Sequence, residues 1–339
     1  KKMIIVLKPG TKEAEIEHVK EEIGKHGWKP MLFEGKERTV MHVIGDIGDY
    51  SGNGLNSIPC VEKVVRIMKP YKIASNEHHP QPTVIKIGDV KIGGGNFTVI
   101  CGPDSVESEE QIIESAKLMK KNGIKIMRAS AFKPRTSPYS FQGLGVEGLK
   151  LLKKAKDEVG ILTETEVMDV RDVPIASEYA DILRVGARNM QNFDLLKEFG
   201  KVSNPIILKR GSAATIKEFL MAAEYIMLNG NKNVILCERG IRTFETDYRN
   251  TLDLEAVAIL RQETHLPIIV DPCHAAGRRD IIIPLCRAAA AVGADGLIVE
   301  AHPNPEKALC DGAQSLYPEQ VTQMLTEVKA VCKAVGKKM

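Results

Sequence analysis

The sequence predicts an α/β chain in two parts: a small ferredoxin-like βαββαβ unit over residues 1–70, then a (β/α)8 TIM barrel over residues 97–339. Three observations carry this expectation. Eight short, β-rich apolar runs begin near Phe97, Lys125, Ile161, Ile182, Pro205, Asn233, Pro267 and Gly296, with starts 21 to 36 residues apart, the spacing of βα units. Each run gives way to charged or polar residues. The first seventy residues follow a different rhythm and are set apart by Pro70 and the proline-marked stretch Asn76–Pro82.

The front unit reads in order. Met3–Leu7 is a short apolar strand. From Thr11 to His26, Ala14, Ile16, Val19 and Ile23 recur at helical spacing, and Gly27 ends the helix. Met31–Phe33 and Thr39–Ile44 are strands joined across the polar turn Glu34–Arg38. A helical stretch around Tyr50–Ser57 leads to the strand Val61–Met68, with Trp28 expected to pack inside the unit. Residues 71–96 are linker and hairpin. His78-His79 lacks a third ligand nearby and reads as solvated linker, and Thr83–Ile87 turns at Gly88-Asp89 into Val90–Ile92. Gly93-Gly94-Gly95 precedes a strand and opens no helix, so it reads as a turn and not as a phosphate loop.

In the barrel, helical stretches such as Glu109–Lys121, Ile216–Leu228, Leu254–Arg261 and Ile281–Val292 alternate with the strands, and Gln320–Ala334 closes the count. Composition agrees. A chain of 339 residues buries roughly 75% of its unfolded surface and needs no disulfide or zinc staple. Its 43% hydrophobic and 27% charged residues exclude a disordered, collagenous or coiled-coil protein. The balance of 47 basic against 44 acidic residues gives no field for wrapping nucleic acid but leaves room for local basic pockets. No apolar run matches a bilayer, Lys1-Lys2-Met3 leads into a strand, and seven cysteines without a C-x-x-C suit a reducing compartment. A cytoplasmic enzyme without nucleic-acid or membrane partners is expected.

The strand ends carry the chemistry: Gly102-Pro103-Asp104; Arg128 through Lys133 and Arg135; Glu164 and Glu166; Arg188; Lys209-Arg210; Glu238-Arg239; Asp271 and His274; Glu300 and His302. A TIM barrel builds its active site at that face. Convergent lysines and arginines suit phosphate or carboxylate ligands. Asp104, His274, Glu300 and Asp311 form a second constellation, an O3N set suited to a hard or borderline divalent cation such as Mn2+, Fe2+ or Mg2+.

One long segment is specific. Lys133-Pro134-Arg135-Thr136-Ser137-Pro138-Tyr139-Ser140-Phe141-Gln142-Gly143-Leu144-Gly145 resembles the family of 3-deoxy-D-arabino-heptulosonate 7-phosphate (DAHP) synthases. Val185–Asn189, Leu208–Gly211, Cys237–Thr243 and Val270–His274 agree in order, and the resemblance extends to the front unit of the regulated short-form subgroup. It implies a transferase that condenses phosphoenolpyruvate with erythrose 4-phosphate, releasing phosphate, at the start of aromatic amino-acid biosynthesis. By resemblance, Arg128, Lys133, Glu166, Arg188, Lys209 and Arg239 fall on the phosphoenolpyruvate side. Arg135, Thr136 and Ser137 fall on the erythrose 4-phosphate side, with Arg135 at its phosphate. His274, Glu300 and Asp311 fall on metal ligands, and Lys133 on a proton donor to the new alkoxide. Lys133, Asp104 and His274 are thus the candidate catalytic residues. The sister family making 3-deoxy-D-manno-octulosonate 8-phosphate resembles the same barrel but carries a different segment where Lys133–Ser137 stands.

The chain departs from the family at the first metal ligand, a Cys there and Asp104 here. Thiolate and carboxylate carry equal charge, but the carboxylate is harder, which favours Mn2+, with Fe2+, Mg2+ and Zn2+ as further candidates. Three readings stay open: a retuned metal enzyme, a metal-independent variant, or a phosphate-ligand-binding regulator without activity. Cys101, Cys273 and Cys310 adjoin the site residues in sequence; one reading is a replacement thiolate that rebuilds the missing ligand, but packed thiols facing away are expected, since neighbours along a strand alternate. His302 is expected behind the site. The resemblance further implies a tyrosine or phenylalanine effector bound by the front units of a homotetramer.

Overall fold

A computed structural model of the chain describes residues 2–34, 39–45, 47, 50, 52–67 and 70–339. They form two compact units, Lys1–Pro70 and Tyr71–Met339. The turn expected at 35–38, the end of the expected last strand at Met68, and parts of 46–51 lie outside the described residues.

The front unit runs β1 (Lys2–Leu7), α1 (Glu13–Lys25), β2 (Lys29–Glu34), β3 (Thr39–Ile44), α2 (Asn53–Asn56) and β4 (Val61–Ile67). The sheet is antiparallel in the order β2-β3-β1-β4. Period 2 along β1 puts Met3, Ile5 and Leu7 on one face, where they meet Val19 and Ile23 of α1 and Met41 and Val43 of β3. Trp28 packs partly against this core, stacked on the His26 ring with centroids 4.5 Å apart. α2 is a single turn, shorter than the expected 50–57.

The second unit opens with a segment pinned by one carboxylate: Glu224 accepts the backbone N–H groups of Lys72, Ile73 and Ala74 at 2.9 Å each. The hairpin β5 (Ile85–Ile87) and β6 (Val90–Ile92) follows, then Gly93, Gly94 and Gly95, all at positive φ. Thereafter come β7 (Thr98–Gly102), α3 (Glu109–Lys121), β8 (Ile126–Arg128), α4 (Val146–Val159), β9 (Leu162–Glu166), α5 (Val173–Tyr179), β10 (Ile182–Val185) and α6 (Phe193–Phe199). The second half comprises β11 (Ile206–Lys209), α7 (Ile216–Leu228), β12 (Val234–Glu238), α8 (Leu254–Glu263), β13 (Ile268–Val270), α9 (Pro272–Ala276), α10 (Ile282–Ala291), β14 (Gly296–Glu300) and α11 (Pro318–Ala334). Strands β7 to β14 close into a parallel barrel through the β14–β7 register Ile298↔Ile100.

Two apolar layers result from strand alternation. Val99, Cys101, Met127, Leu183, Leu208 and Leu236 face the helices. Ile100, Ile126, Ile182, Ile207, Ile235, Ile269 and Ile298 fill the interior together with Ile85, Ile87, Val90 and Ile92 of the hairpin, which stops the end where the strands begin. The next inward position is two residues on. It is Arg128 after Ile126, Arg184 after Ile182, Lys209 after Ile207, Asp271 after Ile269 and Glu300 after Ile298. An isoleucine layer therefore sits beneath a charged layer, and the charged layer is the floor of the site. Among the described residues, no helix is long and apolar enough to cross a membrane.

Candidate active site

Asp104 follows β7 and is sealed from solvent. Its Oδ1 lies 2.5 Å from Arg128 Nη2, its Oδ2 lies 2.7 Å from Lys133 Nζ, and the Cys310 thiol donates to Oδ2 at 2.7 Å. Arg128 reaches Glu300 Oε1 at 3.0 Å with its other nitrogen, so one guanidinium ties the ends of β7, β8 and β14 together. Gly102 is required at the strand exit, since a Cβ there would lie 2.4 Å from the Arg128 carbonyl oxygen.

His274 is oriented by Asp271. Asp271 Oδ1 caps the one-turn helix α9 by accepting the His274 backbone N–H at 2.9 Å. Its Oδ2 accepts from the Lys209 ammonium and lies 2.8 Å from His274 Nδ1, in contact but off line for a hydrogen bond. The other ring nitrogen, Nε2, lies 4.0 Å from both Asp104 Oδ1 and Asp311 Oδ2. Donor atoms of Asp104, His274, Glu300 and Asp311 all fall within 4.8 Å of one another. Gln314 Nε2 holds Glu300 Oε2 at 2.6 Å.

The electrostatics fit a cation at this cluster. Burial raises the Glu300 carboxyl well above the usual range, with Asp104, Asp311 and Asp271 adding to it, although Arg128 opposes. Burial also drives the His274 imidazole well below its ordinary value, which keeps a neutral ring with a free lone pair. Asp104 behaves oppositely: burial would raise it, but Lys133 and Arg128 together hold it well below the carboxylate range. Lys133 is lowered by burial yet raised overall by Asp104 and Glu166, so its ammonium stays protonated.

Above the cluster opens a cavity of about 450 Å³. Lys133, Arg135, Arg188, Lys209 and Arg239 line it with Thr136, Ser137, Glu166, His274 and Asp311. Arg188 donates to the Pro134 carbonyl and to Thr136 Oγ1, both at 3.2 Å, which joins the two expected substrate sides. Gly186 permits the approach of Glu166, whose Oε1 would stand 2.0 Å from an added Cβ.

Some expected positions fall elsewhere. Arg128 does not line the cavity; as an inward barrel residue it is fully buried beneath it. Arg210 and Glu238 pair with each other at 2.9 Å, and Arg210 also binds Asp253 at 2.8 Å, so they leave the convergent set. His302 faces Glu107 at 3.5 Å. Cys101 and Cys273 lie in the layer between strands and helices. Cys310 corrects the expectation that it faces away, for it lines the cavity against Asp104 and Arg135. Strand alternation does not apply there, because β14 ends at Glu300 and Cys310 lies in the loop that follows; its neighbour Asp311 adopts φ +50, and among the described residues no other non-glycine has positive φ.

Sequence reasoning gave no role to Asp271 as orienter, to Gln314, or to the Arg184–Glu164 pair at 3.0 Å inside the barrel. The inward isoleucine two residues before Arg184 and before Asp271 was the available signal. Arg242, Arg249 and Asn250 also line the cavity, from loops with no periodicity to reveal them.

Comparison with known proteins agrees with this architecture. The model of the DAHP synthetase I family matches residues 71–336, and that of the DAHP synthase ferredoxin-like domain matches residues 3–69. A phospho-2-dehydro-3-deoxyheptonate aldolase of Thermotoga maritima is 53% identical over 337 residues, covering 99% of this chain and 100% of that protein. A 2-dehydro-3-deoxyphosphooctonate aldolase of Syntrophotalea carbinolica is 33% identical over 270 residues, 74% of this chain and 96% of its own length. The crystal structure of the Thermotoga maritima phospho-2-dehydro-3-deoxyheptonate aldolase (DAHP synthase) superimposes with a TM-score of 0.81 at 52% identity, covering 99% of each chain. A truncated form of the 3-deoxy-D-arabino-heptulosonate 7-phosphate synthase from that organism gives 0.74 at 51% identity, over 79% of this chain and 98% of that one. With both units matched in order and the barrel matched almost end to end, the chain belongs to the DAHP synthetase I family.

Proposed function

We propose that the chain condenses phosphoenolpyruvate with erythrose 4-phosphate to give DAHP and phosphate, the first step of the shikimate pathway. The observation that carries this is the meeting of Lys133, Arg135, Arg188, Lys209 and Arg239 with the Asp104–His274–Glu300–Asp311 cluster at one cavity. Two phosphates and a carboxylate require that many cations, and an aldehyde activated for attack requires an electrophile beside them.

In this reading Lys209, Arg239, Arg188 and Lys133 bind phosphoenolpyruvate, with Glu166 at its edge. Arg135 holds the phosphate of the aldehyde, flanked by Thr136 and Ser137. C3 of the enol forms the new bond to the aldehyde carbon, the Lys133 ammonium protonates the resulting alkoxide, and the C–O bond to phosphate breaks as water adds at C2. His274, Glu300, Asp311 and the residue-104 side of the site would hold a divalent ion, which when bound supplies Lewis-acid polarisation of the aldehyde oxygen. Arg128 acts from below by fixing Asp104 and Glu300. The match of residues 3–69 to the DAHP synthase ferredoxin-like domain, beside Lys133–Ser137, favours the four-carbon aldehyde over the octulosonate reaction. The same match supports a front unit that binds tyrosine or phenylalanine in a homotetramer. The test is metal-stripped protein given both substrates with Mn2+, Mg2+, Zn2+ or no metal. DAHP formed only with metal is expected. DAHP formed fully in excess chelator overturns the metal role, and no DAHP under any condition overturns the enzyme.

A further inference from the structure

Residues 134–141 form a loop above the end of β8, and Thr136, Ser137, Pro138 and Tyr139 within it are exposed. The base of the loop is closed by the Lys133 backbone N–H, which donates to the Gln142 carbonyl at 2.9 Å. Its tip folds on itself, the Ser140 N–H donating to the Ser137 carbonyl at 3.2 Å. Among the described residues, hydrogen bonds join 134–141 to other parts of the barrel at two places. Arg188 donates to the Pro134 carbonyl and to Thr136 Oγ1, both at 3.2 Å, and Arg135 lies against the Cys310 sulfur. Pro134 and Thr136 flank Arg135 in the chain, so one guanidinium holds the backbone before Arg135 and the side chain after it. Arg188 is itself carried by the tight turn Ala187–Asn189 after β10, where the Asn189 N–H donates to the Gly186 carbonyl at 2.9 Å.

We propose that Arg188 couples the two substrates through Thr136: an anion on Arg188 locks Pro134–Thr136 and so sets Arg135 to receive the phosphate of the aldehyde. The inference rests on the assignment of sides above, with phosphoenolpyruvate at Arg188 and the aldehyde's phosphate at Arg135. Both arginines line the same cavity. A guanidinium carries more N–H groups than two neutral acceptors use, so Arg188 can hold the loop and an anion together. Ordering an exposed loop held by few bonds costs conformational freedom. Whichever substrate binds first meets that cost, and the second finds its contacts already arranged. Coupling of this kind is reciprocal, so each substrate tightens the other by the same factor. The sign is diagnostic, because an anion that drew Arg188 away from Pro134 and Thr136 would release Arg135 and weaken the second ligand. Thr136 is in this account a positioning residue, acting on Arg135 through its bond to Arg188.

Calorimetric titration of the full-length protein tests this with D-erythritol 4-phosphate, whose C1 alcohol cannot be attacked and so gives no turnover. Its dissociation constant is measured with and without saturating phosphoenolpyruvate, and that of phosphoenolpyruvate with and without the erythritol phosphate. In the wild type the two ratios are expected to agree, with binding tightened roughly 5–150-fold. Thr136→Val removes one acceptor of Arg188 and is expected to lower the ratio by roughly two- to tenfold, the worth of one hydrogen bond, whereas Thr136→Ser keeps it. A direct contact between Thr136 and the erythritol phosphate, if that were its whole role, would weaken binding equally with and without phosphoenolpyruvate and leave the ratio unchanged. A wild-type ratio of unity or less, or an undiminished ratio in Thr136→Val, overturns the coupling and leaves the proposed function standing. A wild type that fails to bind either ligand overturns the assignment of sides and this inference with it.

Discussion

Lys133 Nζ lies 2.7 Å from Asp104 Oδ2, and Arg128 occupies the other oxygen of the same carboxylate. One carboxylate thus bridges two buried cations from the β8 strand and its loop, and Glu300 shares Arg128 with it. The pairing keeps Lys133 protonated and fixes its ammonium at the cavity floor, where the proposed alkoxide is formed.

Asp104→Asn should therefore destabilise the metal-free protein by about 3–5 kcal/mol, because removal of one partner leaves buried charge uncompensated. Urea unfolding of the stripped wild type and variant measures it. A change below about 1 kcal/mol would mean that water or Glu300 compensates and that the triad is not a structural unit.

Arg135→Ala should weaken erythrose 4-phosphate far more than phosphoenolpyruvate. Loss of a charge-assisted phosphate contact costs on the order of 1.5–3 kcal/mol, a roughly ten- to hundredfold rise in KM for the aldehyde. Steady-state kinetics with each substrate varied in turn decides it, and equal losses on both would refute the assignment of sides.

His265 gives the barrel a pH dependence of known sign. Its Nε2 lies 2.8 Å from the Ile73 carbonyl, which only accepts, so Nδ1 receives the Thr83 hydroxyl at 2.7 Å and the ring is neutral. Burial lowers its pKa from 6.5, and His79, whose tilted ring lies 4.6 Å away centroid to centroid, adds to that. The unfolded chain then takes up the proton first, so stability falls as pH drops through about 6.5 and levels off below the folded value. Melting temperatures from about pH 7.5 to about 5.5 should fall in the wild type and fall less in His265→Gln. Parallel curves for the two proteins would exclude this histidine as the cause.

Deleting residues 1–70 should leave an active barrel that no longer responds to tyrosine or phenylalanine. In the intact protein the effector should shift substrate affinity by roughly 5–150-fold, the range of a 1–3 kcal/mol coupling. A full-length rate and melting temperature indifferent to both amino acids would reduce the front unit to an oligomerisation role.

Regular elements were open to the sequence because their physics is local. Thr39–Ile44, Glu109–Lys121 and Ile216–Leu228 form as their periodicity predicts, and the run spacing predicts the eight barrel strands. The inward charged layer was equally available, since period 2 carries it forward from each inward isoleucine. What the tertiary structure alone decided lies in the loops and in pairwise choices among charges. Arg210 turns to Glu238 and Asp253, Arg128 sits under the cavity and not in its wall, and Cys310 enters the site where alternation sends it away. Loops such as the one that holds Cys310 and Asp311 after β14 have no repeat from which a side chain's direction can be read. Which of several nearby opposite charges a buried cation takes depends on distances that exist only once barrel closure brings residues 104, 128, 133, 274, 300 and 310 to the same end.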